Sequence, residues 1–485
     1  MLTLREILDT LAPSLVVEGA ADMDISEVCI DSRQAGPGNI FVALRGERTD
    51  GHLYVEEAFE AGATVALVEK VTAEGAIIDT VEGTAPACLE PPMLVVVSDT
   101  LRALQRLAAA RRLQRPDLCV VGVTGSVGKT TTKEALASVL SQRYETLKSS
   151  GNYNNEIGLP LTLMALGPEY ECAVLEMGMY ALGEIALLCD IARPQIGVVT
   201  NVGPSHLERL GSMERIAQAK AELIQALPEG GLAVLNGDDR RVRAMEKQTA
   251  ARVLTFGFHA DNMVWADQVV NRGLEGMEFT VHVKKEAFEE EVGSSVPPTT
   301  SHNLRTSVLG LPAVMSGLAG VAVGLARGLS WDEIERGLGG GRQGLRLVPR
   351  RGIRDTILLD DTYNASPESV MAALDLLDEL PGRHLAVLGD MLELGSYERE
   401  GHHAVGRYAA DLLDLLVTVG ERGHLIAEAA REAGFDAGRL YTARDNEEAL
   451  AILENVMEDG DAVLVKGSRS MTMETIVEAL EEQGP

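Results

Sequence analysis

The chain has 485 residues, too many for one hydrophobic core, and its 46% hydrophobic and 24% charged content is that of an ordinary globular protein. A formal charge of −30 argues against nonspecific nucleic-acid binding and against an anionic membrane surface, since both favour a basic face. An anionic small ligand stays open, because a local cluster such as Arg33, Arg45 and Arg48 outweighs a distant field that salt screens.

Five widely spaced cysteines without a C-x-x-C pair point to neither a metal cluster nor a disulfide framework. The opening MLTLREILDTLAP reads as a short amphipathic helix carrying acids, unlike a signal peptide, and no apolar stretch approaches a membrane span. A cytoplasmic location is the expectation, with no membrane insertion.

Residues 1–115 read as a small α/β unit, with strands over 26–30, 40–44 and 64–68 and helices over 54–61 and 100–114. The weakly patterned stretch 71–92 is expected to be a surface loop, and Pro116 marks a linker.

Residues 116–340 open with CVVGVTGSVGKTTTKE at 119–134: an apolar run, a glycine-rich loop, then a helix start. Glycines at 125 and 128 let the N–H groups around Ser126, Val127 and Thr131 close on phosphate oxygens. Lys129 neutralises charge, and the Thr130 hydroxyl can hold Mg²⁺. The spacing is irregular: five residues separate Gly122 from Gly128, two separate Gly125 from it, and the common motif has four. The competing reading is a glycine-rich turn with a chance lysine; the strand before and helix after favour phosphate, so a nucleoside triphosphate is the expected ligand.

Apolar strands over 173–175, 196–200 and 232–235 each end in a polar loop, which implies a parallel sheet with ligands at its carboxyl ends. That rule is expected to bring Glu176 and His206 near Thr130, as oxygen and imidazole ligands suited to Mg²⁺ at a phosphate site. Each alone reads equally well as a turn cap or a satisfied loop histidine. In the helix over 216–227, Lys220 sits in an apolar stripe with Ile216, Leu223, Ile224 and Leu227. Such a lysine either snorkels or is kept neutral, and a neutral amine can react with CO₂ to give an anionic carbamate. The segment GNYNNEIGLP offers the amides of Asn154 and Asn155 to a polar substrate, or is a plain loop. Further on, 253–285 reads as short β segments and 284–301 as a polar loop.

Residues 341–485 form a third α/β unit whose strands end in DDTYNASP, GDMLELG, GERG and KGSRSM, with Ser366-Pro367-Glu368 a strong helix start.

Taken together, GVTGSVGKTTTKE, GNYNNEIGLPLTL, VLEMGM, TNVGPSHLERLGSMERIAQAKAEL and LNGDD resemble the Mur ligase family over nearly the full chain. The motifs IDSRQAGPGNIFVALRGERTDGH, DDTYNASPES, GDMLELG and KGSRSMTME are similar to the branch of that family acting on UDP-N-acetylmuramoyl-tripeptide and D-alanyl-D-alanine. The resemblance implies an α/β, three-domain architecture: substrate-binding 1–115, a central P-loop ATPase domain 116–340 and a Rossmann-like domain 341–485. It implies an ATP-dependent amide ligase, working as a monomer through an acyl phosphate in cytoplasmic peptidoglycan precursor synthesis.

By position, the resemblance implies Lys129 on the β/γ-phosphates, with Thr130, Glu176, His206 and a carbamylated Lys220 around Mg²⁺. Arg346 and Asp361 would reach ATP from the third domain. Ser32, Arg33 and Asp50 would lie along the UDP-sugar, and Asn154 and Asn155 along the muramoyl-peptide. Two departures stand out. Val127 replaces the family's usual asparagine, and the stretch Gly-basic-His-Asn-x-x-Asn reads GLPAVMS over 310–316, so altered recognition of adenine is expected. The alternatives are a relative with another amine acceptor and a nucleotide-binding regulator without turnover.

Overall fold

The computed structural model describes residues 2–15, 17, 23–46, 49–86, 89–205, 207–284, 299–340 and 348–482. Arg48, His206 and Arg346, together with the polar stretch 285–298, lie outside the described residues. Two compact units form, one from residues 1–120, 145–177 and 186–194, the other from 121–144, 178–185 and 195–485.

In the first unit, the expected amphipathic helix at the start is Leu4–Leu11, capped by Thr3 and Glu6 reciprocally and burying Leu4, Ile7, Leu8 and Leu11. A five-stranded parallel sheet follows in the spatial order Val28–Cys29, Ile40–Val42, Val65–Val68, Met93–Val96, Ala76–Asp79. The last of these corrects the surface-loop expectation for 71–92: Ala76–Asp79 is a four-residue edge strand, too short for its pattern to stand out from a loop. The helix Thr100–Leu113 lies against Gly158–Met164, with Arg111 donating to the Leu166 carbonyl at 2.7 Å. The same unit holds the parallel pair Thr146–Lys148 and Cys172–Glu176.

The second unit contains two sheets. Strand Cys119–Thr124 pairs in parallel with Ile196–Val199, which pairs with Leu232–Asn236 and then Arg252–Gly257. Val264–Asn271 and Met277–Lys284 extend it as the β segments expected over 253–285, and Thr299–Thr306 adds a further strand that corrects the loop expected to run to residue 301; the last two pair antiparallel. The second sheet runs Val348–Arg351, Ile357–Asp361, Ala462–Lys466, His384–Leu388, Leu415–Val419, Leu440–Ala443 and is parallel apart from its first pair. Its three central strands therefore end side by side in DDTYNASP, KGSRSM and GDMLELG, the place where open α/β sheets bind ligands. Among the described residues no helix is long and apolar enough to cross a membrane.

Candidate phosphate-binding active site

The apolar strand Cys119–Thr124 is completely buried and delivers the chain into the loop at Gly125. Gly125 has φ of +155°, and a Cβ there would collide with the Thr200 hydroxyl. Gly128 caps the helix Lys129–Leu140 from the left-handed region at φ of +83°, a conformation that favours glycine. The loop thus turns into a helix N-terminus, where unpaired N–H groups and the helix dipole attract phosphate. Lys129 Nζ lies 2.8 Å from the Gly125 carbonyl and 3.2 Å from that of Ser126, and Thr130 is buried in the first turn.

Asn201, at the end of the neighbouring strand, holds this loop in shape. Its Oδ1 accepts from Ser126 N–H at 3.1 Å and Val127 N–H at 2.8 Å, while its Nδ2 donates to the Val127 carbonyl at 3.0 Å. Thr200 donates to the same carbonyl at 2.7 Å, and the Ser126 hydroxyl exchanges hydrogen bonds with Gly203. These bonds use only the Val127 main chain.

Lys220 lies in the helix Met213–Gln225, with Ile216, Leu223 and Ile224 buried on the same face. It is 2% exposed. Burial, reinforced by the positive charge of Lys129, pushes its amine well below the ordinary lysine range. The stripe read in the sequence is real, and its lysine does not snorkel.

One cavity takes in the loop from Ser126 to Thr131 together with Asp361, Asn364, Ser369, Leu392 and Lys466. Lys466 and Asp361 are register partners at the ends of adjacent parallel strands. Lys466 is 2% exposed, pairs with Asp361 Oδ2 at 2.5 Å and donates to the Asn364 carbonyl at 2.8 Å. A buried ammonium costs several kcal/mol to desolvate, by order of magnitude, so it persists only with such partners. The motif GDMLELG reaches the cavity through Leu392, Glu393 and Leu394. Glu393 adopts φ of +64° and its carbonyl accepts from Glu208 N–H at 3.5 Å. Gly395, at φ of +54°, packs on Glu208, where a Cβ would come within 2.6 Å of its Cα.

In the first unit, Glu176 ends its strand with no exposed surface and accepts from Asn154 Nδ2 at 2.9 Å. Asn155 uses its side-chain oxygen on the N–H groups of Ile157 and Gly158, capping the following helix. Ser32 is buried in a short turn, whereas Arg33 is exposed and paired with Asp31 at 2.6 Å. Asp50 accepts from the His52 ring at 2.6 Å, and His52 in turn accepts from Glu69 N–H at 2.9 Å, which fixes that loop.

Asn201 and Lys466 were not singled out from the sequence. The signals were present, an amide directly after an apolar strand in TNVGPSH and a lysine ending the apolar strand AVLVK, but neither names its partner.

Comparison with known proteins places these features in one family. Residues 24–112 match the family model "Mur ligase family, catalytic domain", 123–306 the Mur ligase middle domain, and 346–469 the Mur ligase glutamate ligase domain. The UDP-N-acetylmuramoyl-tripeptide–D-alanyl-D-alanine ligase of Bacillus subtilis (strain 168) is 36% identical over 485 residues, covering 99% of this chain and 98% of its own length. Its counterpart in Escherichia coli (strain K12) is 36% identical and covers 99% of each. The crystal structure of MurF from Acinetobacter baumannii superposes with a TM-score of 0.81 at 31% identity, covering 99% of both chains. MurF ligase from Thermotoga maritima, solved in complex with ADP, gives 0.75 at 28% identity, covering 94% of this chain and 97% of that one. The three-domain α/β architecture is therefore that of these enzymes, and the chain belongs to the Mur ligase family.

Proposed function

We propose that this protein is the ATP-dependent ligase that joins D-alanyl-D-alanine to UDP-N-acetylmuramoyl-tripeptide in cytoplasmic peptidoglycan precursor synthesis. The observation that carries the reading is the single cavity uniting the phosphate loop with Asp361 and Lys466 of the third-domain motifs. A terminal carboxylate is a poor acyl donor until one oxygen becomes a leaving group. In this reaction that oxygen attacks the γ-phosphorus of ATP, ADP departs, and an acyl phosphate forms. The free amine of the dipeptide then attacks the acyl carbon, phosphate leaves, and the amine loses its proton as the amide forms. Catalysis is then mostly positioning and neutralisation of developing charge.

Within this scheme Lys129 binds the β/γ-phosphates, and the loop from Gly125 through Thr131 surrounds them. Asp361 and Arg346 contact the nucleotide from the third domain. Ser32, Arg33 and Asp50 belong to the UDP-sugar site, and Asn154 and Asn155 to the muramoyl-peptide side. The chemistry of the donors fits Mg²⁺: a hydroxyl at the first helical turn, Thr130, and a buried carboxylate, Glu176, to which the family motif adds His206. When bound, Mg²⁺ supplies charge neutralisation at the β- and γ-oxygens. The buried amine of Lys220, which burial and the Lys129 charge push well below the ordinary lysine range, fits a CO₂-derived carbamate, which would add an anionic oxygen ligand. The boundaries 1–115, 116–340 and 341–485 and a monomeric state complete the reading.

The test is phosphate release by purified protein with MgATP, UDP-muramoyl-tripeptide and D-alanyl-D-alanine, omitting each in turn. Release that needs all three, with an amide product, is expected. Nucleotide binding without release, across a panel of amino acids and dipeptides, would favour a regulator instead.

A further inference from the structure

We propose that Ser468 is a positioning residue for the nucleotide: its hydroxyl sets the loop over 390–394, and through that loop one wall of the cavity that takes ATP. This rests on the ligase reading of the same cavity. Leu392, Glu393 and Leu394 line that cavity, as does Lys466, two residues before Ser468. Ser468 itself is 4% exposed and is not among the described residues that line it, so it acts through its neighbours.

The strands His384–Leu388 and Ala462–Lys466 are register partners, and the chain leaves them at Gly389 and Gly467. A Cβ on Gly467 would stand 3.3 Å from the Gly389 Cα, so the two loops begin in close main-chain contact. Gly389 N–H donates to the Lys466 carbonyl at 2.8 Å, and Ser468 N–H to the Asp390 carbonyl at 2.9 Å. Met391 N–H goes to His402 Nε2 at 3.0 Å, and the Asp390 carboxylate takes the N–H groups of Arg422 and Gly423, both at 2.9 Å. The Ser468 hydroxyl then accepts the Leu392 N–H at 2.8 Å.

That last bond falls directly before Glu393, whose φ is +64°. A residue with a side chain keeps this conformation only where its surroundings over-determine it, and such residues cluster at functional sites. The bonds on Gly389 and Met391 anchor the base of the loop, whereas the one from Ser468 holds the part that faces the cavity. Its loss should therefore free residues 392–394 while leaving the sheet folded.

The experiment compares Ser468→Ala and Ser468→Thr with the unaltered full chain by ADP titration, steady-state kinetics and thermal melts. Ser330→Ala is the control, because Ser330 caps the helix Trp331–Gly339 and is not among the described residues lining the cavity. Ser468→Ala strands the Leu392 N–H, which should raise the ADP Kd and the KM for ATP by roughly 5–150-fold, with kcat at saturating ATP little changed. The KM for UDP-muramoyl-tripeptide should not move. Ser468→Thr keeps the oxygen and should recover most of the loss, and Ser330→Ala should lower Tm alone. A lowered Tm in Ser468→Ala with unchanged ADP affinity would leave Ser468 a purely structural role and overturn the inference, with the ligase reading intact. Failure of the unaltered chain to bind any nucleotide overturns both. Hydrogen exchange of the peptide 389–394 in the unaltered chain is the second measurement. Slow exchange is expected, and exchange at the rate of an unprotected loop would overturn the inference whatever the variants do.

Discussion

The clamp formed by Asn201 makes a quantitative prediction about the phosphate loop. In Asn201→Ala three side-chain hydrogen bonds disappear, but their partners fare differently. Ser126 N–H keeps the main-chain oxygen of residue 201 at 3.0 Å, and the Val127 carbonyl keeps the Thr200 hydroxyl at 2.7 Å. Val127 N–H, which donates to Asn201 at 2.8 Å, loses that partner in a half-buried position. A net hydrogen bond is worth about 1 kcal/mol and a stranded donor costs about 1–3, so the loop should lose about 1–3 kcal/mol of preorganisation. That converts to a loss of roughly 5–150-fold in nucleotide affinity where the loop must re-form to bind. Calorimetric titration with ADP and a thermal melt are the assays. Asn201→Asp keeps the acceptor but loses the donor and brings a negative charge beside the phosphates, so its Tm should lie nearer the wild type while ADP binding stays weak. An unchanged Tm together with an ADP Kd within twofold of wild type in Asn201→Ala would refute the clamp.

Three further outcomes are expected. Lys220→Ala should abolish phosphate release while retaining ADP binding, with partial recovery on adding short carboxylic acids; full activity would remove the carbamate assignment. Gly395→Ala forces a side chain into left-handed backbone and against Glu208, at a cost of about 1–3 kcal/mol. Its Tm should fall and the stabilisation gained from added nucleotide should shrink, because the same loop lines the cavity, and an unaltered nucleotide-induced shift would contradict that. His402 is fully buried, accepts from Met391 N–H through Nε2 and faces the Glu398 carbonyl through Nδ1, so it is neutral. Burial lowers its folded-state pKa below the ordinary 6.5, so the unfolded chain takes up the proton first as pH drops. Stability from this residue is complete above about pH 6.5 and is lost as pH falls towards the folded value. The slope of Tm against pH over that window should flatten in His402→Gln, and an identical slope would refute the assignment.

What the sequence disclosed follows from the range of the forces involved. Lys220 was legible because helical periodicity is local: Ile216, Leu223 and Ile224 fall on its face whatever the tertiary structure. The phosphate loop and the helix start at Ser366 were legible for the same reason, since turn and cap chemistry act within a few residues. Asn201 clamps a loop 75 residues away, and Lys466 pairs with a carboxylate 105 residues away. Both partnerships exist only once the strands Cys119–Thr124 and Ile196–Val199, and Ile357–Asp361 and Ala462–Lys466, lie side by side. Strand order is set by the packing of whole layers, and no local pattern encodes it. The edge strand Ala76–Asp79 escapes the sequence pattern because four residues carry too little periodicity to separate a strand from a loop.

The site also explains how a chain of charge −30 receives a polyanion. It does so with a few fixed elements in place of a basic face: a glycine-capped helix start and one lysine, Lys129, whose Nζ rests on main-chain carbonyls. Two lysines of the second unit, Lys129 and Lys220, are treated oppositely. Lys129 lies against main-chain carbonyls that stabilise its ammonium, whereas Lys220 is enclosed among apolar side chains and feels the Lys129 charge as repulsion. Like charges in a poorly solvated space cannot both persist at low cost, so the Lys129 charge adds to burial in disfavouring a charged Lys220. The consequence is a directional coupling: neutralising Lys129, as in Lys129→Met, should make Lys220 easier to protonate. That variant would then damage phosphate binding directly and the amine chemistry at Lys220 indirectly, so the double variant with Lys220→Ala should lose less than the sum of the two single losses.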